Sequence, residues 1–154
     1  CLSYPAQTPA SLPPTIPRPA SLPTSAVRPL KQVRVSSRNP ETRKAFAEKV
    51  TATLGIPTLA VDALEDAVTD TPLVTLITNS TEAFLTADML AKGSHLNAMG
   101  AIVPSRVEFT DDVFARADVI AVDSLRSVRD LSTEFRTQIT HEQVEIRAGQ
   151  IHSA

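Results

Sequence analysis

Three consecutive side chains, Ser37, Arg38 and Asn39, bring a hydroxyl, a guanidinium and a carboxamide to one point in the chain. At a strand end of a dinucleotide-binding sheet, an acid would accept a ribose 2′-hydroxyl, whereas an Arg with hydroxyl neighbours would cradle a 2′-phosphate. No acid stands between Ser36 and Glu41, so NADP is favoured over NAD if either binds. The same residues also read as a solvated arginine among ordinary turn formers. A second polar cluster, Thr78-Asn79-Ser80-Thr81, could meet a phosphate or a ribose. In a third, Asn97-Ala98-Met99-Gly100-Ala101, Gly100 would let a ligand approach the backbone closely. His95 lies in the run before it, where alternation suggests a structural role and an acid/base role is the alternative. His141 and His152 stand alone in a polar stretch and read as solvated. No HExxH, GxSxG or paired Cys/His spacing occurs, so metal-dependent hydrolysis and serine-hydrolase chemistry have no support.

These clusters matter because of what precedes them. Gln32-Val33-Arg34-Val35-Ser36 is β-branched, with Val33 and Val35 on one face, and reads as a strand. Asn39 then suits an N-cap, Pro40 the first helical position and Glu41 the positive end of the helix dipole. Phe46, Val50 and Leu54, with Ala47 beside them, form one apolar stripe interrupted by Thr53. Gly55 ends that helix and Pro57 keeps it from resuming. Thr58 to Val61 reads as a short strand, and Ala63 to Val68 as a short helix with Glu65 and Asp66 on its wet side. The near-continuous apolar run from Leu73 to Thr78 fits a strand buried on both faces. A helix over 86–91, a strand over 94–99, a helix over 111–117 and a buried strand over 119–122 complete the alternation. Such alternation predicts βαβ units, a parallel sheet, and ligands at the carboxyl ends of its strands.

Composition bounds the reading. The 154 residues carry a net charge of −2, which gives no electrostatic case for nucleic acid or an anionic membrane as partner. One cysteine, Cys1, excludes an internal disulfide framework and a cysteine-built zinc cage. No apolar run approaches the length of a transmembrane helix and no signal-peptide pattern opens the chain, so a cytoplasmic location is expected. Eight of the twelve prolines fall within residues 1–30, whereas all four glycines lie at or after Gly55. Residues 1–30 are therefore expected to be a disordered, partly polyproline II tail. Pro14 to Pro17 makes a PxxP spacing that could suit an SH3-like groove, a spacing common in any proline-rich tract.

The strand ends also carry a resemblance. Val33-Arg34-Val35-Ser36-Ser37-Arg38-Asn39-Pro40 resembles the second strand and ribose loop of the ornithine cyclodeaminase/mu-crystallin family. Lys92 to Ala101 resembles that family's "kpGaHinavGa" segment almost position for position, and Glu108-Phe109 falls where it has "EL". Ala117 to Ser124 resembles its "rADrvvvDs", and Leu131 to Phe135 its "sGEl". The resemblance runs from about residue 31 to 135. It implies an α/β fold: an incomplete Rossmann-type, doubly wound parallel sheet over 31–135, behind the 1–30 tail and before a C-terminal tail, 136–154, in which Val144, Ile146 and Ile151 have no clear place. It also implies an NAD(P)-dependent enzyme, homodimeric in the family, exchanging hydride with the α-carbon of an amino or cyclic imino acid. Ser37, Arg38 and Asn39 would hold the adenosine ribose or its phosphate, and Thr78 would line the cofactor cleft. Met99 and Gly100 would lie toward the nicotinamide, and Asn97 completes the cofactor-binding set. No catalytic residue and no metal ligand is assigned.

The departures set a second expectation. The family's GxGxQ phosphate loop should precede Lys31, yet no glycine occurs before Gly55 and prolines fill that space. Ile102 stands where cyclodeaminases carry a catalytic Asp, a residue that reductase-type relatives also lack. The segments of the second, substrate-binding and dimer-forming domain are not recognised. The chain is thus expected to be a portion of a reductase- or dehydrogenase-type protein without turnover of its own. The alternative is a truncated or frameshifted product with at most weak nucleotide affinity.

Overall fold

The computed structural model describes residues 2–3 and 29–139. The PxxP spacing, His141, His152, Val144, Ile146 and Ile151 lie outside the described residues. The chain folds as two compact units, one taking in the sequence up to Thr75 together with Leu90–Asn97, the other Leu76–Met89 and the sequence from Ala98 onward.

The first unit is built on the sheet. Its strands are β1 (Leu2–Ser3), β2 (Val33–Val35), β3 (Thr58–Ala60), β4 (Leu73–Leu76) and β5 (His95–Ala98), in the spatial order β3-β2-β1-β4-β5. The chain passes into the second unit at the last residue of β4 and of β5. The expected parallel pairing is present between β2 and β3, with Val33 opposite Thr58 and Val35 opposite Ala60. Within the span read as a tail, Leu2 and Ser3 add a strand, antiparallel to both β2 and β4. They stand before Pro5, where backbone donors are still available for a ladder.

Helix α1 (Pro40–Leu54) follows β2 as its end signals dictate. The Asn39 carboxamide accepts from Thr42 N–H at 3.0 Å, and Gly55, at φ 67°, closes the helix by donating its N–H to Thr51 O. Val33, Val35, Val50 and Leu73 form the buried core, with Leu30, Phe46, Leu54 and Ile56 packed around it. Helix α2 (Leu64–Val68) is short. The Arg34 guanidinium steadies its carboxyl end, donating to Asp66 O at 3.0 Å and Thr69 O at 3.2 Å.

In the second unit, Leu76, Leu85, Phe109, Val113 and Phe135 are buried. Phe114 stands edge-on to both Phe109, at 5.2 Å between ring centres, and Phe135, at 6.2 Å. Three short helices follow: α3 (Asp112–Arg116), α4 (Leu125–Leu131) and α5 (Thr133–Ile139). Two expectations are corrected. The helix read over 86–91 is a single 3-10 turn, Ala87–Met89, closed by Met89 N–H donating to Thr86 O, while Ala87 N–H is taken by the Asp112 carboxylate. Residues 119–122 form no strand, and Val119 is 75% exposed. An apolar run becomes a strand only where a neighbour completes its ladder, and among the described residues none pairs with it.

Two outcomes test these local arguments. Asn39→Ala should lower unfolding stability by about 1 kcal/mol in urea titrations, the usual cost of an N-cap. Asp112 accepts from the Thr110 hydroxyl and from Ala87 N–H at 3.0 Å, bonds that hold its carboxyl below the usual carboxylate value. Its stabilising contribution is complete above pH about 3.9 and is lost as the pH falls through the lowered value. The stability difference between wild type and Asp112→Asn should therefore shrink as the pH is taken below about 3.9.

Candidate functional site

The loop between β2 and α1 is held from beneath. Arg43 is buried on α1, and its guanidinium donates to Ser37 O at 2.7 Å and pairs with the exposed Asp62 carboxylate. Its Nε is buried and has no hydrogen-bond partner among the described residues. The Ser37 hydroxyl donates to Asn39 O at 3.2 Å, and the Asn39 carboxamide oxygen is committed to the helix cap. Arg38 is exposed between them, and its side chain makes no hydrogen bond or ion pair among the described residues. A free guanidinium thus stands beside the amino end of a 15-residue helix, two positive features that suit an anion. Glu41 in the first helical turn opposes them.

The second cluster, in the other unit, turns on a carboxylate. Glu108 is fully buried, and its Oε1 accepts from Thr78 N–H at 2.6 Å and from the Thr78 hydroxyl at 2.8 Å. Its Oε2 accepts from Gly100 N–H at 2.8 Å. Glu108 N–H donates to Oε1 of Glu134, itself buried, whose Oε2 accepts from the Ser132 hydroxyl at 3.0 Å. Glu108 O accepts from both Phe84 N–H and Leu85 N–H. Two of the expected residues, Thr78 and Gly100, therefore meet on one side chain.

Gly100 takes on a different meaning here. A Cβ at this position would lie 2.3 Å from Glu108 Oε1 and 2.5 Å from Thr78 O. The close approach that the glycine permits is to this chain's own groups, and its N–H is already committed. Met99 presents an exposed side chain, and its N–H donates to Leu76 O at 2.9 Å. Asn97 shares none of these bonds; its carboxamide oxygen lies 3.0 Å from His95 Nε2. An open groove of about 410 Å³ between α1 and β3, lined by Lys44, Glu48, Thr51 and Leu59 among others, contains none of the expected residues. Among the described residues no group of three or more His, Cys, Asp or Glu is placed to hold a metal ion, and no helix is long and apolar enough to cross a membrane.

Arg43 and Glu108 escaped the reading of strand ends. Arg43 had a signal: stepping back from Val50 and Ala47 at helical spacing lands on it, a charge in a buried row. Glu108 had none beyond its place in the family-like segment, because its partners lie 30 residues before and 8 residues before it.

The model of the ornithine cyclodeaminase/mu-crystallin family matches residues 20–151. The Delta(1)-pyrroline-2-carboxylate reductase of Bacillus cereus is 28% identical over 114 residues, which cover 74% of this chain and 35% of that protein. Among solved structures, the Thermococcus litoralis Delta(1)-pyrroline-2-carboxylate reductase in complex with NADH and L-proline matches with a TM-score of 0.73 at 22% identity, over 80% of this chain and 39% of that one. The iminosuccinate reductase of Paracoccus denitrificans in complex with NAD+ matches with a TM-score of 0.67 at 22% identity, over 78% and 36%. At such identities the structural likeness shows the Rossmann-type fold. The chain spans about a third of the length of the curated relatives it matches.

Gly100→Ala should destabilise the chain by about 1–3 kcal/mol, the usual cost of overpacking, because the new methyl meets a buried carboxylate and a backbone carbonyl. Urea unfolding of the variant measures it.

Proposed function

The chain belongs to the ornithine cyclodeaminase/mu-crystallin family, and on that premise we propose that residues 31–135 are the dinucleotide-binding portion of a nicotinamide-dependent oxidoreductase. The reaction it serves is hydride exchange at the α-carbon of an amino or cyclic imino acid, of reductase or dehydrogenase type, in the cytoplasm. The relatives named as Delta(1)-pyrroline-2-carboxylate reductases support this class, as does Ile102, which has no proton to transfer. Ser37, Arg38 and Asn39 take the adenosine ribose end of the cofactor; Thr78, Asn97 and Met99 take the rest. Gly100 serves by admitting Glu108 behind Thr78.

The observation that carries this reading is the loop between β2 and α1. It offers an uncommitted arginine at a strand's carboxyl end, beside a helix amino terminus. NADP is preferred over NAD on Arg38 alone, since the solved relatives hold NADH or NAD+. The nicotinamide dinucleotide and the amino or imino acid are the partners.

A second reading has its own support. No glycine precedes Gly55, so residues 1–54 contain no glycine-rich turn to wrap a pyrophosphate. On this basis the 154 residues bind nucleotide weakly and turn over no substrate by themselves.

One titration separates these points. The purified chain should bind NADPH only in the high micromolar range or weaker; low-micromolar affinity would show that a glycine loop is dispensable. Arg38→Ala should weaken NADPH binding about 5- to 10-fold, the loss of one charge-assisted contact at an exposed site, and NADH binding by far less. Equal losses would remove Arg38 from the phosphate site.

A further inference from the structure

We propose that Glu108 is a positioning residue that sets the geometry of the cofactor cleft by fixing Thr78 and Gly100 against one buried carboxylate. This rests on the reading of Thr78 as a cleft residue.

A carboxylate with no exposed surface is costly to bury, and no Lys or Arg pairs with Glu108 among the described residues. What compensates it is three donors at 2.6–2.8 Å, two of them backbone N–H groups. Those donors are not distributed at random. Thr78 and Gly100 each stand two residues past the end of a strand, β4 at Leu76 and β5 at Ala98. Strand ends of this kind are where open α/β sheets hold ligands. One oxygen takes both donors of Thr78 and the other takes Gly100, so the side chain acts as a two-ended clamp that sets the spacing between the two turns. Gly100 completes the device, since any Cβ there would displace the carboxylate. Glu134 then holds the clamp's own backbone through Glu108 N–H.

A residue present only for stability could be replaced by a well-packed apolar side chain with little effect on ligand affinity. A clamp cannot. Glu108→Gln keeps the shape but places an amide –NH₂ against donors, so one arm must open. The test uses the full chain, labelled for amide hydrogen exchange and titrated with NADPH, at temperatures where each variant is fully folded by circular dichroism. The expected result is exchange at Thr78 and Gly100 accelerated at least tenfold, exchange at Val33 and Val50 unchanged, and NADPH affinity per folded molecule reduced about fivefold. Wild-type exchange rates at Thr78 and Gly100 in Glu108→Gln would overturn the clamp. Loosened amides with unchanged NADPH affinity would overturn its role in positioning.

Thr78→Val supplies a second route should Glu108→Gln not fold. It removes one donor and should speed exchange at Gly100, because both residues bond the one Glu108 carboxylate; no change there would also overturn the clamp. If the wild-type chain shows no response to millimolar NADPH, the cofactor reading fails and the positioning role with it. The exchange data still decide the clamp itself, so the two failures are distinguishable.

Discussion

A buried carboxylate without a cation has to be surrounded by donors, and at Glu108 this requirement organises the second unit. Thr78 must turn its N–H and hydroxyl inward, and Gly100 must be glycine to leave the carboxylate room. The backbone of Glu108 is itself fixed, its carbonyl by Phe84 and Leu85 N–H and its N–H by Glu134. Glu134 in turn brings the start of α5 into the network through Ser132. Leu76, Leu85, Phe109 and Phe135 are buried in the same unit, and hydrogen bonds away from water are the stronger for it. The loops thus become definite because polar groups among apolar neighbours have only one set of partners.

The first unit uses the same device with the opposite charge. Arg43 lies on the buried row of α1, where Ala47 and Val50 continue toward the core, and it projects donors at the loop rather than packing as a hydrophobe. Its bond to Ser37 O leaves Arg38 as the residue of the loop whose charge is uncommitted. A guanidinium that is not spent on its own chain can be spent on a ligand, and its exposure means that any gain is screened by salt.

What could be read from the sequence divides along the range of the interactions involved. The strand–helix unit from Val33 to Gly55 was legible, the strand to within one residue at each end and the helix with both its caps, because caps, stripe and terminating glycine are all local. The buried run at Leu73 to Leu76 was legible for the same reason. Thr86 to Ala91 and Val119 to Val122 were misread: their composition is compatible with a helix and a strand, but each needs a neighbour that composition does not reveal. The candidate site shows the same split. Ser37, Arg38 and Asn39 could be found as a contiguous set, whereas the meaning of Gly100 depends on a carboxylate eight residues on, reached through a turn. Family-like segments brought Glu108 and Glu134 to notice without saying what they do.

The direction of β1 follows from its two ladders. Leu2 lies opposite Val35 and Thr75, and Ser3 opposite Arg34 and Val74. Moving from Leu2 to Ser3, the chain therefore runs toward the amino ends of β2 and β4. A strand in the middle of a doubly wound sheet can place a turn beside a ligand only by emerging at the carboxyl ends of its neighbours. Running the other way, β1 emerges at the opposite edge from the one where Arg38 follows β2. The central position of the sheet is filled by β1, whose two ladders satisfy the inner backbone groups of β2 and β4.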